Sequence, residues 1–155
     1  MLPMTDQHDP YWGLPDPVLH AEFYEDVPSK RLVAWVVDTV LVILLSLLAL
    51  PFTAFAAVFV LPLFVALVGF VYRTVTLARG SATWGMRLMA IELRNARGER
   101  LDTRTAALHT LFYSLSMTFV LPQVASIVLM LTGARAQGLH DLMLGTAAIN
   151  RPARN

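Results

Sequence analysis

Thr39 to Tyr72 is a run of 34 residues without one charged side chain, flanked by Asp38 and Arg73. As a single helix it would reach about 51 Å, against a hydrocarbon core of roughly 30 Å. The run therefore predicts two membrane spans with a turn inside it. Span one is expected over about Leu32–Leu50, with Ser29 as its N-cap. Span two is expected over about Thr53–Ala78. Pro51 marks the turn, and Pro62 should kink span two, which neighbouring helices can tolerate.

A third apolar stretch covers Thr105 to Thr132 and is interrupted at Pro122. It is long enough for one tilted, kinked span, or for two half-helices meeting at Leu121-Pro122-Gln123. Ala106, Thr110, Ser114, Thr118, Pro122 and Ser126 recur every four residues, a small-residue stripe that suits a crossing contact between helices. Between the second and third stretches, residues 86–93 alternate in polarity and Asn95-Ala96-Arg97-Gly98 supplies turn chemistry. That predicts a short interfacial segment and then an extended turn or small hairpin. Near the end, Leu139, Leu142 and Met143 lie on one helical side between Gly138 and Gly145, which predicts a short helix on the membrane surface. The expected fold is thus an all-α membrane protein. It is a small helical bundle of about three membrane-embedded segments, the third kinked or re-entrant at Pro122, with an arginine-rich loop and a C-terminal interfacial helix.

Composition agrees. Hydrophobic residues make up 56% and charged residues 15% of the 155, where a soluble domain carries about 25% charged. One domain is expected over residues 30–150. Residues 1–29 hold five prolines and six acids and read as an irregular, solvated tail, with Tyr11, Trp12, Phe23 and Tyr24 able to touch the interface. Residues 151–155 read as a short second tail. Without cysteine, no disulfide or thiolate metal site is available. A net charge of +1 gives no case for nucleic acid. The start lacks the basic n-region of a signal peptide.

Charge distribution sets an orientation. Seven arginines fall between Arg73 and Arg104, while the Pro51 turn has no basic residue. The positive-inside rule puts that loop and the N-terminus in the cytoplasm of a cytoplasmic (inner) membrane protein. Three spans would leave the C-terminus outside, yet Arg135, Arg151 and Arg154 prefer the inside. Either the third stretch crosses once against that preference, or it turns back at Pro122.

An acid inside a span needs a partner. Arg31 and Asp38 are two helical turns apart on one face. Asp38 and Arg73 flank the turn at matched distances, which predicts a contact between them, directly or through one water, with Arg31 as an outer partner. With two arginines close by, this network reads more readily as a register-fixing ion pair than as an ion or proton site. Asp141 is expected at the cytoplasmic interface, in the neighbourhood of Arg31 or Arg87.

These residues resemble the RDD family of small membrane proteins, named for an arginine and two aspartates. Arg31 and Asp38 in KRLVAWVVDTVLV match the first two, and Asp141 in QGLHDLMLGTAAI matches the third. GSATWGMRLMAIEL resembles the family's loop, with Met86 where a lysine is common before Arg87. His109 stands where an arginine is frequent. The match runs from about Pro28 to Asn150. It implies a membrane location and a charged triad. Some members are linked to cation/proton exchange, and others only accompany other domains.

His140 beside Asp141 invites a metal or acid–base reading. No second ligand pair lies at useful spacing, so a polar face on a surface helix is the favoured reading, with no metal and no cofactor. No phosphate loop and no activated nucleophile is present, and no enzyme is expected. Two function classes remain. One is a component of cation/proton transport using Asp38, which would require self-association. The other is a structural or accessory protein that binds a partner membrane protein or anionic lipid. The site residues carried forward are Arg31, Asp38, Arg73, Arg87, His140 and Asp141.

Overall fold

The computed structural model describes residues 9–152; residues 1–8 and 153–155, with His8 and Arg154, lie outside the described residues. Helix α1 spans Val27–Ala49 and places Pro28 in its first turn, where a missing N–H costs nothing. Its N-cap is Asp26 in a left-handed conformation, not Ser29. At 23 residues it reaches about 34 Å. Two tight 3-10 turns follow, Leu50–Thr53 and Ala56–Val60, separated by Ala54 and Phe55 at positive φ. Helix α2 spans Leu61–Gly80 with Pro62 in its first turn. Pro62 therefore starts the second helix where a kink was expected, because its ring fits the first turn without displacing a hydrogen bond.

After α2 the chain forms a five-residue helix α3 (Trp84–Leu88), strand β1 (Ile91–Arg94), helices α4 (Thr103–Thr118) and α5 (Val120–Thr132), helix α6 (Leu139–Leu144) and strand β2 (Ala147–Asn150). The turn at Asn95–Gly98 forms as its residues predict, with Gly98 at φ 76°. It does not close a hairpin. β1 pairs antiparallel with β2, Ile91 opposite Asn150 and Arg94 opposite Ala147. Helices α4 and α5 are bent by 115° at Phe119, three residues before Pro122. Two helices are long and apolar enough to cross a membrane, or three if the bent pair is counted as one.

The buried core lies at one end of the bundle. Val27 and Ala34 of α1, Leu77 of α2, Met86 of α3, Ile91 and Leu93 of β1, Ala106 of α4 and Ala148 of β2 pack there as one cluster. At the far end of α1 and α2, and in the turns between them, the apolar side chains stay exposed, Leu48, Phe52, Phe59 and Leu63 among them, as expected of surfaces solvated by lipid rather than by protein. Because β2 pairs with β1 and α6 packs on α4, the third apolar stretch brings the chain back to the end it left. Of the two arrangements left open by the sequence, this geometry fits the returning one.

The leading segment is irregular, but from Asp9 onward it is packed rather than loose. Leu14 and Tyr24 are buried against Ala147 and Ile149 of β2. Gly13 donates to the Ala96 carbonyl at 2.9 Å, and a Cβ on it would meet the Arg97 backbone at 2.0 Å. Asn150 ties the same segment down through the carbonyls of Glu22 and Glu25. Of the aromatics expected at an interface, Trp12 is exposed, whereas Tyr11 lies beneath Arg135, which also pairs with Asp9 at 3.3 Å.

Candidate functional site

Val27, Arg31, Ala34 and Asp38 form the buried stripe of α1, spaced four, three and four residues apart. Its two charged members lead to different places.

Asp38 faces α3. Its Oδ1 accepts from the Tyr72 hydroxyl at 2.7 Å and the Gly85 amide at 2.8 Å, and its Oδ2 accepts from the Thr83 hydroxyl at 2.6 Å. Thr83 is also the N-cap of α3, with its hydroxyl accepting from Met86 N–H. Gly85 is required because a Cβ there would meet the Ala34 carbonyl oxygen at 2.2 Å. The threonine and glycine of the TWG segment thus exist to receive Asp38. The expected contact between Asp38 and Arg73 is absent: they form neither a hydrogen bond nor an ion pair with each other. Adjacent Tyr72 takes the role instead. Residues 72 and 73 point about 100° apart on a helix, so only one of them can face Asp38.

Arg31 faces α6. Its Nη1 lies 2.6 Å from Asp141 Oδ2 and donates to the Ala136 carbonyl at 3.3 Å. Asp141 is fully buried and takes three more donors: His109 Nε2 at 2.8 Å, Gly138 N–H at 3.0 Å and the Thr146 hydroxyl at 3.1 Å. Since a carboxylate only accepts, His109 carries its proton on Nε2. His140 Nε2 lies 3.2 Å from Arg31 Nη2, and a guanidinium only donates, so neutral His140 carries its proton on Nδ1. The Nδ1 atoms of both histidines are buried without a partner. Burial pushes His140 down to about 3, against the pull of Asp141. Burial would raise Asp141, but Arg31 and the two histidines hold it well below the usual carboxylate range.

The polar face that the sequence gives α6 is turned inward and buried, with Asp141 in the expected Arg31 neighbourhood. His140 and Asp141 point into the protein, while Leu142 and Met143 are exposed. Arg87 does not join this network. It is exposed and donates to the Ala82 carbonyl at 3.3 Å.

His109, His140 and Asp141 offer ligand atoms within 4.8 Å of one another, a donor set suited to a divalent cation. Arg31 already places its guanidinium against two of the three, so an entering metal ion would meet that charge at contact distance. The arginine does a cation's work here.

Arg73 stands apart. Its guanidinium carbon sits 3.9 Å over the Tyr113 ring, and its buried Nε has no hydrogen-bond partner. Tyr113 packs edge-on against His140, and His140 against His109, so an aromatic row on α4 and α6 connects Arg73 to the Asp141 network. Two adjoining cavities, about 560 and 420 Å3, share Trp35, Asp38, Arg73, Tyr113 and Met117. The first extends between α1, α2 and α4 towards Val42 and Thr118, the second towards Leu32, Ile127 and Leu131.

Sequence reasoning singled out Arg31, Asp38 and Asp141 but missed Tyr72, Thr83, Gly85, His109 and Thr146 as their partners, and Tyr113 beneath Arg73. His109 carried one usable signal: it lies four residues before Tyr113, so both share a helix face.

No curated protein and no solved structure matches the chain. The RDD family model matches residues 27–145, which include both aspartates, Arg31, and the α3 and α6 segments that receive them. Those matched residues are the ones that hold the bundle's closed end together, and the chain belongs to the RDD family of membrane proteins.

Proposed function

We propose that this chain is an accessory protein of the cytoplasmic membrane that binds another membrane component, and that its arginine–aspartate network serves folding. The observation that carries this reading is the commitment of both oxygens of each acid to hydrogen bonds within the fold. An ion- or proton-carrying aspartate must exchange its partners, yet Asp38 accepts three hydrogen bonds and Asp141 four. Groups committed to this extent lock helices in register. The seven arginines between Arg73 and Arg104 support a cytoplasmic placement for the closed end of the bundle and both chain termini.

A second reading, a component of cation/proton transport, draws on the two cavities that meet at Asp38. Reconstitution into proteoliposomes separates the two. Under the accessory reading, neither a cation gradient nor a pH gradient drives counter-flux above that of empty vesicles. Flux present in the parent and abolished by Asp38→Asn, with the variant's fold intact by circular dichroism, would establish transport.

A further inference from the structure

We infer that the cavities around Arg73 bind the anionic head group of a membrane lipid, a deepening that rests on the binding role proposed above. Arg73 lies in α2, one of the two helices able to cross the membrane, where a cation needs a partner. Its guanidinium forms no ion pair among the described residues, and its Nε is buried without an acceptor. The Tyr113 face beneath it attracts the charge but does not neutralise it. Asp38 lines the same space, but its oxygens are held by Tyr72, Thr83 and Gly85. Arg31 is likewise committed to Asp141. Among the described residues that line the two cavities, Arg73 is thus the cation left to receive an anion, and a guanidinium matches a phosphate with two parallel hydrogen bonds.

The walls specify an amphiphile rather than a free ion. The smaller cavity runs from Arg73 to Leu32, Ile127 and Leu131, all apolar and exposed. A head group at Arg73 would leave its acyl chain along those three side chains. At about 420 Å3 the space lies within the usual range for small-molecule sites.

The test uses the full chain, purified from vesicles of mixed phosphatidylglycerol and phosphatidylcholine and examined by native mass spectrometry. The parent should retain phosphatidylglycerol in preference to phosphatidylcholine. Arg73→Gln should weaken that retention about tenfold, the scale of one charge-assisted contact. Arg73→Lys should keep part of it. Arg79→Gln, an exposed arginine on the same helix, should change nothing. Equal retention of both lipids by the parent, or unchanged preference in Arg73→Gln, overturns the site. Displacement of the lipid by millimolar inorganic phosphate overturns the amphiphile requirement. If Arg73→Gln fails to fold, the parent's lipid preference and the lysine variant still decide. The outcome is separable from that of the flux assay: Asp38-dependent flux would defeat the accessory reading without touching lipid preference, and lost preference would leave a protein partner open.

Discussion

Arg31 and Asp141 are 110 residues apart in the chain and 2.6 Å apart in the fold, with neither side chain more than 8% exposed. Breaking such a buried pair strands a charge and costs about 3–5 kcal/mol. Asp141→Asn and Arg31→Ala should each lower the thermal unfolding midpoint of the purified protein sharply. Exchanging the two charges should not rescue them. Asp141 also accepts from His109, Gly138 and Thr146, and an arginine in its place has no lone pair for any of the three. A midpoint restored by the exchanged pair would show that charge alone matters there.

The docking of α3 on α1 makes a steric prediction. Gly85→Ala would push a methyl into the Ala34 carbonyl and lie 2.9 Å from Asp38 Oδ1. Relief requires α3 to lift off, so the loss should equal or exceed the usual 1–3 kcal/mol for overpacking. Limited proteolysis between residues 80 and 100 should accelerate. A variant as resistant as the parent would contradict the close approach.

Acid should destabilise the protein in two steps of the same sign. The unfolded chain protonates its histidines near 6.5, whereas folded His140 stays neutral down to about 3. Between those values the unfolded state binds the extra proton, so stability falls by up to about 1.4 kcal/mol per pH unit below pH 6.5. Asp141 extends the loss lower still: its depressed folded value means that its contribution, complete above the usual 3.8, drains away as pH falls. His140→Gln keeps an acceptor for Arg31 and removes one titration. Its unfolding midpoint should therefore drop less than the parent's between pH 7.5 and pH 5. Parallel slopes would remove His140 as a source.

The returning third stretch predicts a topology. A reporter inserted at Gly98 and one fused to the C-terminus should give the same cytoplasmic signal, and one inserted at Pro51 the opposite. A C-terminal signal matching the Pro51 insertion would mean that the segment from Thr103 to Thr132 crosses the bilayer.

The apolar runs made the membrane helices legible, because their length has to match a bilayer. The buried face of α1 was legible as well, since Arg31 and Asp38 recur at helical spacing. Their partners were not. Matching Asp38 to Arg73 by distance from the turn ignored rotation about the helix axis, and one residue of rotation substitutes Tyr72. It also assumed a continuous second helix, whereas two 3-10 turns consume residues 50–60. His140 and Asp141 read as the polar face of a surface helix because the sequence does not show how deeply that face is buried. Here a buried arginine meets it. The strand pair escaped notice because Ala147–Asn150 has little alternation and its partner lies more than fifty residues upstream.

The distance between Arg31 and Asp141 along the chain also sets an order of events. Synthesis adds about 5–20 residues per second, so Arg31 enters the membrane roughly 5–20 seconds before the acid that neutralises it exists. Until then α1 and α2 can insert, but the end of the bundle where α6 and β2 belong stays open. A segment made late, after both membrane helices, is the one that seals it. A chain cut short before Gly138 keeps its membrane helices but leaves Arg31 without the acid that neutralises it.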